Sequence, residues 1–363
     1  MEEMMKTIVL AGGGHTHLEV LRRLTAERDT ELKWVLVSAS RYHYYSGMFS
    51  GFAEGLYTLE EIRVDLKKIC EDKKVDFIED TLQSFDSAEQ TAILSSGRCL
   101  AYDRLSLDIG SHTAPDQIEG LAEKQVQIKP AHLFPDRIEA CRKAKELVII
   151  GGGAAAVEMA FSFHQWKQQN GRKYDRVTVI ASSELIDQKS DAVIETLFNH
   201  KGIRFLKGDA AVKVSDRYVI TESGEEILYQ EVIFLGGAQA HALLKKSGLP
   251  VDDKGFLKVN ATLQSPDDSR IFAAGDCASL ITHPHLPKSG VYAVREGEVL
   301  HHNLIASLKR ESMKDYIPQR RALILLSTGG KQALMLYGKW RQFGSWAWWW
   351  KDYIDRGYMK KYQ

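Results

Sequence analysis

The residues best suited to chemistry sit in two short stretches, VLAGGGHTHLEV at 9–20 and VIIGGGAAAVEM at 148–159. Each runs an apolar strand into three glycines and then into a helix. Glycine lets a chain turn tightly and approach a ligand closely, and the helix behind it presents unpaired N–H groups and the positive end of its dipole. That arrangement suits the pyrophosphate of a dinucleotide. Gly12, Gly14 and His15 in the first stretch, and Gly151, Gly153, Ala154 and Ala155 in the second, are the residues this reading sets against phosphate. Both stretches depart from G-x-G-x-x-G at its last position, filled by His17 and Ala156. Alanine is a common substitute there, whereas a histidine should force the first helix slightly away from its strand.

The elements around the turns repeat as well. After the first unit come ELKWVLVSAS, DFIEDTLQSFD, QTAILSS, CLAYD and LSLDIGS; after the second come DRVTVIASS, IRFLKGDAAVKV, RYVITES, EEILYQ and VIFLGGA. Each copy reads as βαβ, a three-stranded meander and a closing strand that ends in glycine. Whole domains are duplicated, and the fold class is α/β.

Composition narrows the function classes. With 363 residues, 44% of them hydrophobic, the chain is long enough for two or three domains. Its 48 Lys and Arg balance 48 Asp and Glu, which argues against a broadly basic nucleic-acid binder. Cys70, Cys99, Cys141 and Cys277 form no C-x-x-C pair or disulfide framework, and MEEMMKTIVL lacks the pattern of a secretory leader. A reducing cytoplasm is the expected compartment. No run approaches the roughly 18 apolar residues of a membrane span, so membrane contact would be peripheral, on the inner surface. The histidine groups HTH at 15–17, HPH at 283–285 and HH at 301–302 have poor metal spacing, and no metal is expected.

A third segment, DDSRIFAAGDCASL at 267–280, completes an ordered set with Gly12-x-Gly14, LDIGS and Gly151-x-Gly153. The chain resembles the two-dinucleotide-binding-domain flavoproteins, or pyridine nucleotide-disulfide oxidoreductases. Within them it is similar to type II NADH dehydrogenases and sulfide:quinone reductases. GGGHTHLEVLRR and YSGM most resemble the NADH-dehydrogenase-like module fused before selenide, water dikinase. The resemblance implies an FAD-binding domain of residues 1–118 and 240–308, interrupted by an NAD(P)-binding domain of residues 119–239, with a helical and strand extension over residues 309–363. It also implies that Gly275 and Asp276 meet the ribityl chain of FAD, that Gly110 and Ser111 close the first sheet near the cofactor, and that Ser289, Gly290 and Val291 open a helix facing the flavin. His15 and His17 would lie by the FAD phosphates. Glu158 takes the place of a glutamate near nicotinamide and flavin, or else is a helix carboxylate bonded to a neighbouring loop.

Departures from the family pattern matter equally. The acid that ends the second strand of each copy is replaced by Ser38, with Arg41 assisting, and by Ala181 to Ser183, so NADH and NADPH are both open. GVYAVREG, with Tyr292, Arg295 and Glu296, stands where the dehydrogenases carry a glutamine-rich quinone segment. Cysteines lie too far apart for disulfide reduction, and none follows Cys277 to carry sulfur. Cys141, in PDRIEACRKAK, reads as a solvated helix cysteine.

Residues 309–363 hold 12 Lys or Arg against 4 Asp or Glu, and five of seven tryptophans lie between Trp340 and Trp350. On a helix, Phe343, Trp346, Ala347, Trp350, Tyr353 and Ile354 share a face opposite Lys351, Asp352 and Asp355. That aromatic face is expected to pack on the FAD domain or a dimer partner, or to dock on a membrane. Trp348, on the polar side, fits packing within one chain least well. The function expected is an FAD-dependent oxidoreductase passing hydride from NAD(P)H to FAD and on to a quinone or other small acceptor. The alternatives are a sulfide- or selenide-oxidising flavoenzyme and a non-catalytic redox sensor.

Overall fold

A computed structural model describes residues 5–25, 31–126, 128–183, 185, 186 and 188–362. Two five-stranded parallel sheets of identical order organise it. In the first, β1 (Lys6–Ala11) leads through the glycine turn into α1 (His15–Arg23). It is flanked by β2 (Leu32–Ser38) and β3 (Arg104–Leu107), with Asp76–Glu79 beyond β2 and Ile271–Ala273 beyond β3. In the second, β4 (Glu146–Ile150) leads into α2 (Ala154–Gln169). It is flanked by β5 (Arg176–Ala181) and β6 (Glu231–Phe234), with Arg204–Lys207 and Gln125–Val126 outermost. Antiparallel three-stranded meanders, Leu82 to Ala101 and Ala211 to Leu228, branch from the two sheets at matching places. The first sheet receives its last strand only after the second unit is complete.

Helices and loops cover both faces of these sheets, so the central strands carry apolar residues without alternation. Ile8 to Ala11 and Leu147 to Ile150 are all buried. Gly12 (φ 101°) and Gly151 (φ 147°) turn the chain at the strand ends. A Cβ at either would strike the backbone carbonyl just beyond the neighbouring strand, Asp108 O and Leu235 O respectively. Only glycine fits.

After α3 (Gly290–Lys309), an antiparallel sheet of Ile324–Ser327, Ala333–Tyr337 and Trp340–Gly344 precedes α4 (Ser345–Met359). The sequence reading of this helix needs correcting in three respects. Phe343 lies in a strand, and the helix begins at Ser345. The face turned inward carries Ala347, Trp348, Lys351, Asp355, Tyr358 and Met359, while Trp346, Trp349, Trp350, Tyr353 and Ile354 are 41–78% exposed. Trp348, expected to fit worst, is 5% exposed and packs with Ala333, Met335 and Ala347.

The polar face goes inward because every charge on it meets a partner. Lys351 Nζ donates to Asp355 Oδ2 (2.7 Å) and to Gly47 O (2.6 Å), and Tyr45 Oη donates to Asp355 Oδ1 (3.0 Å). Asp352 accepts from Tyr57 Oη (2.6 Å), and Arg356 bridges Asp352 to Glu61. Tyr362 Oη reaches Glu19 Oε2 (2.7 Å). α4 is therefore bolted to the first unit by hydrogen-bonded charge. No helix among the described residues is long and apolar enough to cross a membrane.

Removing one member of a buried ion pair strands the other charge, which typically costs about 3–5 kcal/mol, whereas an apolar replacement of both avoids that penalty. Lys351→Met should lower unfolding stability by roughly that amount, and adding Asp355→Leu should recover part of the loss, since Glu158 still lacks its cation. Denaturant unfolding of the two variants checks this; a single variant costing under about 1 kcal/mol, the range of an exposed pair, would contradict a buried load on this ion pair.

Candidate functional site

At the first turn, β3 ends at Leu107 and hands Asp108 to the start of α1. Asp108 Oδ2 accepts the N–H groups of Thr16 (2.8 Å) and His17 (2.9 Å), donors that the helix leaves unpaired in its first turn. Burial pushes the Asp108 carboxyl up to about 7, against the two N–H groups and with Glu296 and Asp276 adding repulsion. Sequence reasoning missed this residue, although it stood inside LDIGS.

His15 and His43 meet edge to face over the turn as a neutral pair. His43 Nδ1 lies 2.8 Å from Gly13 O, so it carries the proton, and its Nε2 accepts from His15 Nδ1 at 2.8 Å. Burial lowers His15 to about 3 and His43 to about 4. A Cβ at Gly290 would lie 2.6 Å from the His15 ring, so the start of α3 closes directly on it. His17 is fully buried. Its Nδ1 donates to Gly12 O (2.6 Å), and its Nε2 accepts from Ser106 Oγ (2.8 Å). The helix stays close because β3 supplies a small residue, Ser106, opposite the large one. The second unit reverses the sizes, with Ala156 on the helix and Ile233 on the strand.

Ser111 and Asp276 are brought together, the Ser111 hydroxyl donating to Asp276 Oδ2 at 2.9 Å. Lys129, which no motif pointed to, donates to both, at 2.7 Å to Ser111 Oγ and 3.2 Å to Asp276. Gly110 beside them has φ 70° and open space where a side chain would be. Gly275 N–H is accepted by Glu296 Oε2 (2.6 Å), and burial pushes that carboxyl up to about 7. Ser289 caps α3 in extended conformation without a side-chain bond, with Val291 exposed behind it.

Ser38 ends β2 and donates to Ser40 O (2.9 Å). Arg41 is engaged by Asp65 (2.5 Å), and its N–H meets Glu79 Oε1 (3.1 Å), so its guanidinium already has a carboxylate. In the second unit no side chain among the described residues caps α2, and the position beside Gly153 is open. Ala154 is half-buried and Ala155 exposed there, and β5 ends at Ala181 with Ser182 and Ser183 on the surface.

Glu158, on the second turn of α2, is partly buried where four segments meet. Its Oε1 accepts Ser327 N–H (2.8 Å) and the Ser50 hydroxyl (3.3 Å). Burial raises its pKa, Asp355 adding to the rise and Lys351 opposing it. Lys351 itself remains a cation, because Asp355 and Glu158 together outweigh the cost of its burial. One ammonium thus serves two acids, a grouping hidden by the 192 residues between Glu158 and Lys351.

Cys141 corrects another expectation. It is buried, and burial pushes its thiol up to about 12, as it does for Cys70 and Cys277; Cys99 is exposed. No three His, Cys, Asp or Glu among the described residues are grouped to hold a metal. His283 and His285 lie on the surface, and His301 stacks on Trp34.

Comparison with known proteins gives this geometry a context. Residues 6–297 match the pyridine nucleotide-disulphide oxidoreductase family. The NADH dehydrogenase-like protein YutJ of Bacillus subtilis (strain 168) is 22% identical over 334 residues, 91% of each chain. The sulfide:quinone oxidoreductase structure from Aquifex aeolicus superposes with a TM-score of 0.81 at 20% identity, covering 98% of this chain and 91% of that one. The Plasmodium falciparum NDH2 structure in complex with NADH gives 0.79 at 14% identity, covering 98% of each chain.

Proposed function

The chain belongs to the pyridine nucleotide-disulphide oxidoreductase family, in its type II NADH dehydrogenase and sulfide:quinone reductase-like class, and from that premise we propose that it is an FAD-dependent NAD(P)H oxidoreductase. FAD belongs to the first glycine turn, with residues 1–118 and 240–308. The reduced nicotinamide nucleotide belongs to the second, with residues 119–239, and residues 309–363 form the extension. One observation carries this reading: the same strand, forced glycine turn and helix occurs twice, and the second helix begins beside open space at Gly153 with no side chain among the described residues bonded to its first N–H groups.

The residues present suit a flavin. Gly110 leaves room at the end of the first sheet, Ser111 and Asp276 gather hydroxyl-binding oxygens there, and α3 opens at Ser289 without a side-chain cap. A bound flavin supplies the redox chemistry, taking hydride from a nicotinamide and passing electrons on. The protein's part is orientation and charge. The first N–H groups of α2, at Ala154 and Ala155, would hold the nicotinamide nucleotide's pyrophosphate. Asp276 and Ser111 would bind ribityl hydroxyls while Lys129 fixes their direction. The start of α3, from Ser289 to Val291, turns a helix dipole's positive end toward developing negative charge. Lys351 and Glu158 would hold and move a proton beside the acceptor, Lys351 charged and Glu158 biased toward its neutral form.

For the acceptor we propose a quinone reached at a lipid surface. The outward aromatic face of α4 supports it, with Trp340 on the preceding strand 69% exposed and Lys339 and Lys360 near its ends. Tryptophan and lysine together favour the water-lipid boundary. Sulfide or selenide oxidation through thiols is disfavoured by the three buried, neutral cysteines.

Gly153 has an ordinary φ of −83° and open space at its Cβ. Gly153→Val should therefore fold and keep its flavin content while raising the KM for nicotinamide by about tenfold or more, the effect of some 1.4 kcal/mol of lost binding. An unchanged KM in steady-state assays would remove the nucleotide from this turn.

The triple variant Trp349→Ser, Trp350→Ser, Tyr353→Ser should unfold like the parent but cosediment with phosphatidylglycerol vesicles about tenfold less, again a loss of some 1.4 kcal/mol. Equal vesicle binding, or loss of a homodimer in its place, would contradict lipid docking.

A further inference from the structure

Internal duplication gives each residue of the first unit a counterpart in the second, and one pair breaks the likeness. With Gly12 matched to Gly151, the ladder registers match Leu107 to Phe234 and so place Asp108 against Leu235. The two backbone carbonyls do the same work, each lying beneath its glycine. The side chains do not. Leu235 is a half-buried hydrophobe at the edge of the core, and among the described residues no side chain caps the helix beside it. Asp108 is 4% exposed and fills the start of α1 with a carboxylate, so close beneath the N-cap that a Cβ on Gly14 would collide with all three of its carboxyl atoms.

This carboxylate has mostly unfavourable company. α3 contributes Glu296, which takes the Gly275 N–H, and the turn at 275–277 contributes Asp276 and the Cys277 thiol. Tyr358 faces it from α4. Two cations border the group: Lys129 is bonded to Asp276, and Lys288, whose ammonium donates to Ala278 O, feels the charges of Cys277, Asp252, Asp276 and Glu296. From α1 come only the N–H groups of Thr16 and His17, because the His17 ring is spent on Gly12 and Ser106. A helix terminus offers roughly half a positive charge. Here an acid of the chain already draws on it.

We propose that Asp108 makes cofactor binding at the first glycine turn a proton-linked event: the diphosphate of a dinucleotide is accepted when Asp108 is protonated, and binding takes up a proton. This rests on the reading that FAD belongs to this turn. Two anions sharing one desolvated helix end repel, and neutralising the carboxyl removes the conflict while its carbonyl oxygen still accepts the two N–H groups. Burial pushes this carboxyl up to about 7. A diphosphate raises it further. Affinity is then highest below about pH 7 and falls as the pH rises above the free protein's value, by up to about tenfold per pH unit.

The test is titration of the cofactor-stripped protein with FAD between pH 6 and 9, followed by flavin fluorescence quenching and by calorimetry in buffers of different ionisation heat. The parent should take up close to one proton per FAD at pH 8 and weaken by up to about tenfold per pH unit above 7. Asp108→Asn keeps an acceptor for Thr16 and His17. It should take up no proton, bind about tenfold more tightly than the parent at pH 8 as one pH unit of linkage requires, and show a flat profile. Asp108→Leu, the second unit's residue, should also be flat. Glu296→Gln should keep the proton uptake but move it to lower pH, since one neighbouring negative charge is gone. FAD binding without proton uptake in the parent, or with the same pH profile in Asp108→Asn, overturns the inference and leaves the flavin assignment standing. Failure of FAD to bind parent and variants alike at every pH overturns the assignment, and this inference with it.

Discussion

Burial of Lys351 beneath α4 is the constraint from which the C-terminal architecture follows. Its ammonium is bonded to Asp355 and Gly47 and faces Glu158, so it ties the last helix to the first unit and to the helix of the second. A buried ion pair is weak evidence for added stability, because desolvation offsets much of the attraction. Its value here is orientational. Once Lys351 and Asp355 must face inward, the aromatic residues at 346, 349, 350 and 353 must face out. The strand Ile324–Ser327 is then positioned to present a backbone N–H to Glu158. One rotation of one helix decides both the candidate proton site and the candidate docking surface.

The two glycine turns show how one local solution can be specialised twice. In both, a strand-end carbonyl forbids any side chain at the first glycine. Beyond that the copies diverge by compensating exchanges. His17 against Ser106 becomes Ala156 against Ile233, which conserves packing, and Asp108 becomes Leu235, which does not conserve charge. The first turn is enclosed by His15, His43 and Asp108, and the second is open to the surface. An enclosed site suits a resident cofactor and an open one suits a ligand that comes and goes. That physical asymmetry accords with FAD in the first unit and nicotinamide in the second.

The sheets and meanders were legible because their signals are local. Apolar runs ended by glycine, followed by helical spacing, specify strand, turn and helix wherever they occur, and the duplication doubled the signal. The α4 face was misread because amphipathic reasoning assigns apolar residues to the inside, and nothing local reveals that Tyr45, Gly47, Tyr57 and Glu61 wait some 300 residues earlier to satisfy the charges. Cys141 misled for the same reason: its basic neighbours suggested solvent, but the helix turns that side toward the core. Lys129 and Lys351 lie outside any motif. Asp108 could have been found, since an acid in LDIGS opposite the apolar Leu235 of VIFLGGA is visible once the two copies are aligned.

The central claim, that a nicotinamide bound by the second unit reduces a flavin held by the first, is tested most directly by mixing the purified yellow protein anaerobically with NADH and then NADPH while following the oxidised flavin band. Rapid bleaching by at least one of them is the predicted result, and the faster donor identifies the ribose that β5, ending at Ala181 without an acid, accepts. A flavin-containing protein that neither nucleotide bleaches would contradict the account.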